Sequence, residues 1–197
     1  MEILQQQLLF FNPTLSILLF PAWDCLPFDR ASPKSLISSS RIKTLHRLTN
    51  RSDGQKFFII TTINSLLQKV ISKNEISASG LFLEVGSKIS INQIAEFLVL
   101  KGYRRESLAS DVGEFAMRGG IMDIVMQEAM EITGYRLDFF GEELESIKIF
   151  DPITQISSEN LRQIEILPAS EVVLNQKTME NFRKNYRQNF GHSLHDN

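Results

Sequence analysis

Residues 1–77 alternate short apolar runs with longer segments in which apolar residues recur at helical spacing. The runs Ser16–Phe20 and Lys56–Ile60 have the length of a strand and are almost continuously apolar. Leu36–Leu48 has the pattern of an amphipathic helix, and Asn64–Val70 has that of a second one. Apolar strands that alternate with helices are typical of a parallel sheet covered by helices. The pattern therefore predicts an α/β layer for residues 1–77.

The pattern changes after residue 77, where one helix precedes several short strands. Leu81–Val85 is an apolar run of strand length. Ser90 and Gln93 have the spacing of a capping box, and the apolar residues that follow keep helical spacing until Gly102. From residue 103 to residue 150 the chain has the features of four or five short strands with little helix.

Strand alternation separates two faces in this strand-rich region. Leu137 and its aromatic neighbours two residues away share one face, whereas Arg136 and Asp138 share the other. Gly141 then turns the chain back, which predicts a hairpin. We therefore expect an inserted α+β domain at residues 78–156 that carries a small antiparallel sheet.

The last part of the chain, residues 157–197, is expected to return to the first layer. Ile164–Pro168 has the pattern of a strand that rejoins that layer. A helix begins at about Thr178, and we expect it to pack on the same layer. Aromatic residues recur along this helix at four-residue spacing: Phe182, Tyr186 and Phe190.

Composition and charge exclude several classes of protein. The chain has 197 residues, of which 43% are hydrophobic, so it is too apolar to be disordered. The net charge of −2 gives no overall basic field that would hold nucleic acid. Cys25 is the single cysteine, which excludes an internal disulfide and fits a reducing compartment. No apolar run approaches the roughly 20 residues of a membrane span, so we expect a cytoplasmic protein of one or two domains.

The sequence carries no recognisable catalytic constellation. It has no phosphate-binding loop of the form G-x-x-x-x-G-K-[ST], and Gly119–Gly120 stands between strands rather than before a helix. His192 and His195 have metal-ligand spacing only in a polar tail. Glu142–Glu143 lies in a hairpin turn, where acidic residues are typically solvated. We expect no enzyme activity, no cofactor and no metal.

Arginines are the residues with the clearest functional potential. Arg104, Arg105, Arg118 and Arg136 all fall in the strand-rich region. Each alone is typically a solvated cross-strand partner of an acid, but several on one small sheet indicate a face that meets acidic groups. The guanidinium pairs equally with carboxylate and phosphate, so an acidic protein and a nucleic acid both remain open as partners.

Several stretches, in this order, resemble a known family. They are Phe20–Asp29 with Ser32–Pro33, Arg118–Asp123 and Tyr135–Glu143. Together they resemble the N-terminal module of the bacterial transcription-repair coupling factors, a module similar to part of UvrB of nucleotide excision repair. The resemblance covers about residues 8 to 190. Where UvrB has an insertion bearing a DNA-clamping hairpin, this chain runs directly into a helix, which favours the coupling factors.

The resemblance implies that the first layer is an incomplete counterpart of UvrB domain 1 and that the inserted domain binds UvrA. It implies that the contacts are made by Arg105, Arg118, Arg136 and Asp138, with Arg104 as an adjacent candidate. Contacts to RNA polymerase and DNA, and the ATP-dependent translocase, belong to family regions that these 197 residues lack. We therefore expect a fragment that acts as a non-catalytic adaptor for UvrA. A nucleic-acid-binding module using the same arginines, and a degraded remnant without function, are the alternatives.

Overall fold

The computed structural model describes residues 1–26, 31–128, 131–172 and 176–190. Within those ranges no helix is long and apolar enough to cross a bilayer. The elements follow one another as α1 (Glu2–Phe11), β1 (Ile17–Phe20), α2 (Ser35–Thr49), β2 (Phe58–Thr61), α3 (Ile63–Leu67), α4 (Lys73–Ser77), β3 (Leu81–Glu84), α5 (Ile91–Leu100), β4 (Arg104–Arg105), β5 (Glu114–Arg118), β6 (Ile121–Glu128), β7 (Glu131–Phe140), β8 (Glu143–Phe150), β9 (Ser157–Leu161), β10 (Gln163–Ile166) and α6 (Gln176–Phe190).

The first layer is a two-stranded parallel sheet with α2 against it. β1 and β2 pair in parallel, and Ile17 lies opposite Phe58. The Thr44 hydroxyl of α2 donates a hydrogen bond of 2.6 Å to the carbonyl of Leu19 in β1. Ile42, on the same helix, is fully buried. The two predicted strands, the helix between them and their parallel pairing are therefore confirmed.

The helices that follow and precede this sheet differ from the sequence pattern. The helix predicted at Asn64–Val70 is shorter, because α3 ends at Leu67 and a separate helix, α4, begins after the cap residue Ser72. Ser72 and Glu75 form a reciprocal capping box, which gives α4 its own start. The N-terminal helix α1 was not predicted.

The middle region contains a six-stranded sheet in the order β4-β5-β6-β7-β8-β9. Its neighbouring strands are antiparallel except for the parallel pair β4 and β5. The strands expected between residues 103 and 150 are all present as β4 to β8, and β9 is an additional one. One face of the sheet carries the main core, in which Ile94 and Leu98 of α5 contact the strands through residues such as Phe115 and Leu137.

The boundaries of α5 confirm the predicted start and stop signals. The Ser90 hydroxyl accepts a hydrogen bond from the Gln93 amide, and the Gln93 side chain accepts one from the Ser90 amide. Gly102 follows the helix with a φ of +88°, a left-handed conformation that favours glycine. A Cβ at Gly102 would also lie 2.4 Å from the Cβ of Ser170. This glycine is therefore required both by the turn and by the close approach of the chain.

The strand that was expected to rejoin the first layer has a different partner. β10 pairs antiparallel with β3, and Ile164 lies opposite Leu83. Both side chains are buried in the main core beneath the six-stranded sheet. The expectation that Ile164–Pro168 returns to the first layer is therefore wrong, because its apolar side chains complete the core of the middle region.

The C-terminal helix α6 is confirmed as a helix, and the described part of its aromatic stripe is largely exposed. Phe182 is 68% exposed, and its ring stacks on that of Tyr186 with the centroids 6.0 Å apart. The expected packing of this helix on the first layer stays a prediction. The side chain of Phe190, the residues Phe28 and Asp29, and the tail with His192 and His195 lie outside the described part of the chain.

Candidate partner-binding surface

The six-stranded sheet has a second face, opposite the main core, that carries ionic side chains in register. Because side chains alternate along each strand, the paired positions of β4 to β8 bring these residues to one side. We call this side the charged face. It comprises Arg104, Glu114, Arg118, Asp123, Arg136, Asp138 and Lys148.

Asp123 is the centre of the charged face. It is 1% exposed, and both of its carboxylate oxygens accept hydrogen bonds from guanidinium groups. Arg136 donates through Nε and Nη2 at 2.7 and 3.0 Å, and Arg118 donates through Nη2 at 2.6 Å. A buried carboxylate needs such partners, because an unpaired charge in the interior is costly. Two cations on one anion leave a net positive charge at this point of the sheet.

Arg136 is held on several sides. Its Nη1 donates to the Ser157 hydroxyl at 3.1 Å, and its guanidinium carbon lies 4.8 Å from the centre of the Phe150 ring. The side chain is only 17% exposed. The hydrogen bonds to Asp123 raise the pKa of Arg136, although its burial opposes that shift. The guanidinium of Arg136 is therefore bonded mainly to other residues of the sheet.

Arg118 differs from Arg136 in its exposure. Its side chain is 52% exposed, and Nη2 is its one bonded nitrogen among the described residues. The tight turn that follows places it at the end of β5. Gly119 has a φ of +61°, and a Cβ at Gly120 would lie 2.7 Å from the carbonyl oxygen of Phe139. Arg118 therefore presents unused donors to solvent.

Asp138 is engaged within the sheet as well. Its carboxylate accepts hydrogen bonds from Lys148 at 2.7 Å and from Ser146 at 2.6 Å. Partial burial alone would raise the pKa of Asp138, but these bonds and the charges of Lys148 and Arg136 outweigh it, so the pKa lies below its ordinary value. This acid is a partner of Lys148 rather than a free group.

Arg104 and Arg105 occupy the two-residue edge strand β4. Arg104 is exposed and donates to the Glu114 carboxylate at 3.1 Å. Arg105 lies opposite Phe115, a core residue, so its register position belongs to the other side of the sheet. It is exposed and contacts no acid among the residues that the structure describes.

The structure thus brings four of the five predicted residues to one face and separates Arg105 from them. The other three residues of the charged face were not predicted: Glu114, Asp123 and Lys148. The signal for Asp123 was available, since an acid inside an apolar strand requires a buried partner. Which arginines supply that partner depends on the pairing of β5, β6 and β7.

The strand-rich region of the chain matches a known family of domains. The model of the UvrB interaction domain matches residues 81–172, which include α5, the six-stranded sheet and β10. Residues 81–172 therefore match the UvrB interaction domain family.

Similarity to known proteins extends beyond this domain. The chain is 41% identical to the transcription-repair-coupling factor of Rickettsia bellii over 98% of its own length. It is 33% identical to the corresponding factors of Haemophilus influenzae and Escherichia coli, over 91% and 85% of its length. The resemblance to the coupling factors is therefore confirmed. The chain spans about 17% of the length of the Rickettsia relative.

Proposed function

We propose that this chain is a non-catalytic adaptor that binds UvrA through the charged face of its UvrB interaction domain. The observation that carries the proposal is the half-exposed guanidinium of Arg118, which is fixed at a strand end and has donors left over. By binding UvrA, the adaptor would recruit nucleotide excision repair to stalled RNA polymerase. Contacts to RNA polymerase and DNA would come from the remainder of a coupling factor.

The charged face suits an acidic protein surface. The planar guanidinium of Arg118 has two N–H edges and can meet a carboxylate with more than one hydrogen bond. Arg104, exposed on the charged face, would extend the contact, and Arg105, exposed on the other side of the same edge strand, would be reached only by a partner that extends around that edge. Ile121 and Phe140 are exposed apolar residues at the same end of the sheet, and apolar side chains next to arginine are typical of interface centres. We assign Arg136 and Asp138 a supporting role, because their charges are used internally.

The charge balance of this face disfavours the nucleic-acid alternative. Its ion pairs involve four basic residues and three acidic ones, so nearly every positive charge has a neighbouring carboxylate. Tight binding to a phosphate backbone requires several cations that are free to release counterions. An acidic protein can instead exchange a few well-placed hydrogen bonds with Arg118.

Titration with purified UvrA tests the proposal. We expect Arg118→Ala to weaken binding by about tenfold, which corresponds to about 1.4 kcal/mol, while the protein stays folded. Arg51→Ala is the matched control, because Arg51 is an exposed arginine in the turn between α2 and β2. Double-stranded DNA serves as the parallel ligand. Equal affinities of UvrA for wild type and Arg118→Ala, or tighter binding to DNA than to UvrA, would contradict the proposal.

A further inference from the structure

The buried carboxylate of Asp123 lies between the arginine that is exposed and the arginine that is held internally. On one side Arg136 grips it with two nitrogens, at 2.7 and 3.0 Å. On the other side Arg118 reaches it with a single nitrogen, at 2.6 Å. Phe150 and Ser157 fix Arg136 in turn. The contacts therefore run in sequence from the interior of the sheet to one solvent-exposed guanidinium.

This order of contacts restricts the orientation of Arg118. A long exposed side chain normally samples many rotamers, and a partner must immobilise it on binding. The bond from Nη2 to Asp123 removes part of that freedom before any partner arrives. Only one edge of the guanidinium is used, so the remaining donors face outward in a defined plane.

The second arginine explains why this arrangement still attracts an anion. A single carboxylate paired with Arg118 alone would neutralise it, and the pair would offer a partner little attraction. Because Arg136 also neutralises Asp123, the cluster of three side chains keeps one net positive charge. The exposed end of that cluster is Arg118, at 52% exposure.

We propose that Asp123 is a positioning residue that orients Arg118 for a carboxylate on the partner, and that Arg136 serves to hold Asp123 in place. The inference rests on the proposed function for its binding consequence. The orientation of Arg118 by Asp123 concerns the free protein and does not depend on the proposed function. Arg105 provides an internal comparison, because it is exposed and has no acidic partner among the described residues.

The first experiment records the guanidinium N–H resonances of the free 197-residue chain by NMR. We expect Arg118 to show resolved resonances with slow rotation about Nε–Cζ, and Arg105 to show averaged ones. Asp123→Asn, which keeps the shape and removes the charge, should make Arg118 behave like Arg105. Averaged Arg118 resonances in wild type would overturn the inference. The comparison of Arg118 with Arg105 uses the wild-type chain alone, so it does not depend on the folding of a variant.

The second experiment is a double-mutant cycle on the affinity for purified UvrA. We expect Asp123→Asn to weaken binding about threefold to tenfold in wild type, and to have no further effect in the Arg118→Ala background. Arg118→Lys, which keeps the charge but loses the planar fork, should also bind weakly. An equal loss in both backgrounds would show that Asp123 acts through general stability, and would overturn the inference.

The outcomes separate the two proposals. If wild type does not bind UvrA, the proposed function fails, and the NMR comparison still decides whether Asp123 orients Arg118. If wild type binds UvrA and Asp123→Asn binds equally well, the positioning role fails alone. Should Asp123→Asn not fold, Arg136→Lys replaces it, because it keeps a positive charge and gives up the two-nitrogen grip on Asp123. Unchanged Arg118 resonances and unchanged affinity in that variant would also count against the role.

Discussion

Two arginine–carboxylate clusters in this chain, one in the first layer and one on the charged face, both bury the acid but differ in the exposure of the arginine. In the first layer the arginine itself is enclosed. Arg41 of α2 is 0% exposed and donates to Glu171 at 2.5 Å and to the carbonyl of Pro21 at 2.8 Å. Its guanidinium also lies 4.3 Å from the centre of the Phe20 ring. Each of its nitrogens has a partner inside the protein.

On the charged face the acid is enclosed as well, while one of its arginines remains accessible. Asp123 is almost fully buried, whereas Arg118 retains half of its exposure. The two clusters contain the same residue types, so exposure and the number of bonded donors are what separate a structural arginine from one that is available to a partner. An arginine with every nitrogen bonded joins distant parts of the chain, as Arg41 joins α2 to Glu171. An arginine with donors left over is available to a partner.

The largest expected effect comes from breaking the enclosed pair. We expect Arg41→Ala to lower the free energy of unfolding by about 3–5 kcal/mol, because it leaves the Glu171 carboxylate buried without its cation. Urea denaturation measures this loss. Arg41→Met combined with Glu171→Leu should recover part of it, since it removes both charges. A loss below about 1 kcal/mol in Arg41→Ala would mean that the buried pair is not a structural link.

A smaller effect is expected for the internally held arginine of the charged face. Arg136→Ala should lower the free energy of unfolding by about 2 kcal/mol, because Asp123 then keeps only the single bond from Arg118. Arg118→Ala should cost less than about 1 kcal/mol, because that side chain is half solvated. Urea denaturation of the two variants side by side gives the ranking. Equal losses of unfolding free energy in the two variants would contradict the distinction between Arg136 as a structural arginine and Arg118 as an accessible one.

The smallest effect concerns acid stability. The pKa of Asp138 lies below its ordinary value in the folded protein, so its contribution to stability is complete above the unfolded pKa of about 3.9. That contribution is lost as the pH falls below this value and passes through the folded pKa. We expect Asp138→Asn to flatten the dependence of stability on pH in this window by less than about 1 kcal/mol. Lys148→Met should flatten it similarly, and an unaltered slope in both variants would contradict the role of this pair.

The elements of the middle region were predictable because their signals are local. The capping residues Ser90 and Gln93 and the left-handed turn at Gly102 act within a few positions of the chain. Strand alternation likewise placed Arg136 and Asp138 on one side of β7 without knowledge of any partner strand. The helix α2 and its flanking parallel strands followed from apolar spacing alone.

The errors arose where the partner of an element lies far away in the sequence. The pattern of Ile164 and its neighbours specifies a half-buried strand, but it is equally compatible with the first layer and with β3. The hydrophobic effect is non-directional. An apolar pattern therefore predicts that a side chain is buried, but it does not predict which surface buries it.

Local signals in the sequence were enough to predict α2, α5, α6, the strands β4 to β8 and the arginines among them, because backbone propensity and side-chain alternation are short-range effects. How those arginines are used depends on the tertiary structure. The pairing of β5, β6 and β7 sets Arg118 and Arg136 around the same carboxylate, and the turn at Gly119 leaves Arg118 at the edge. The neighbours of an arginine in space decide which of its donors stay unbonded, and strand pairing supplies those neighbours.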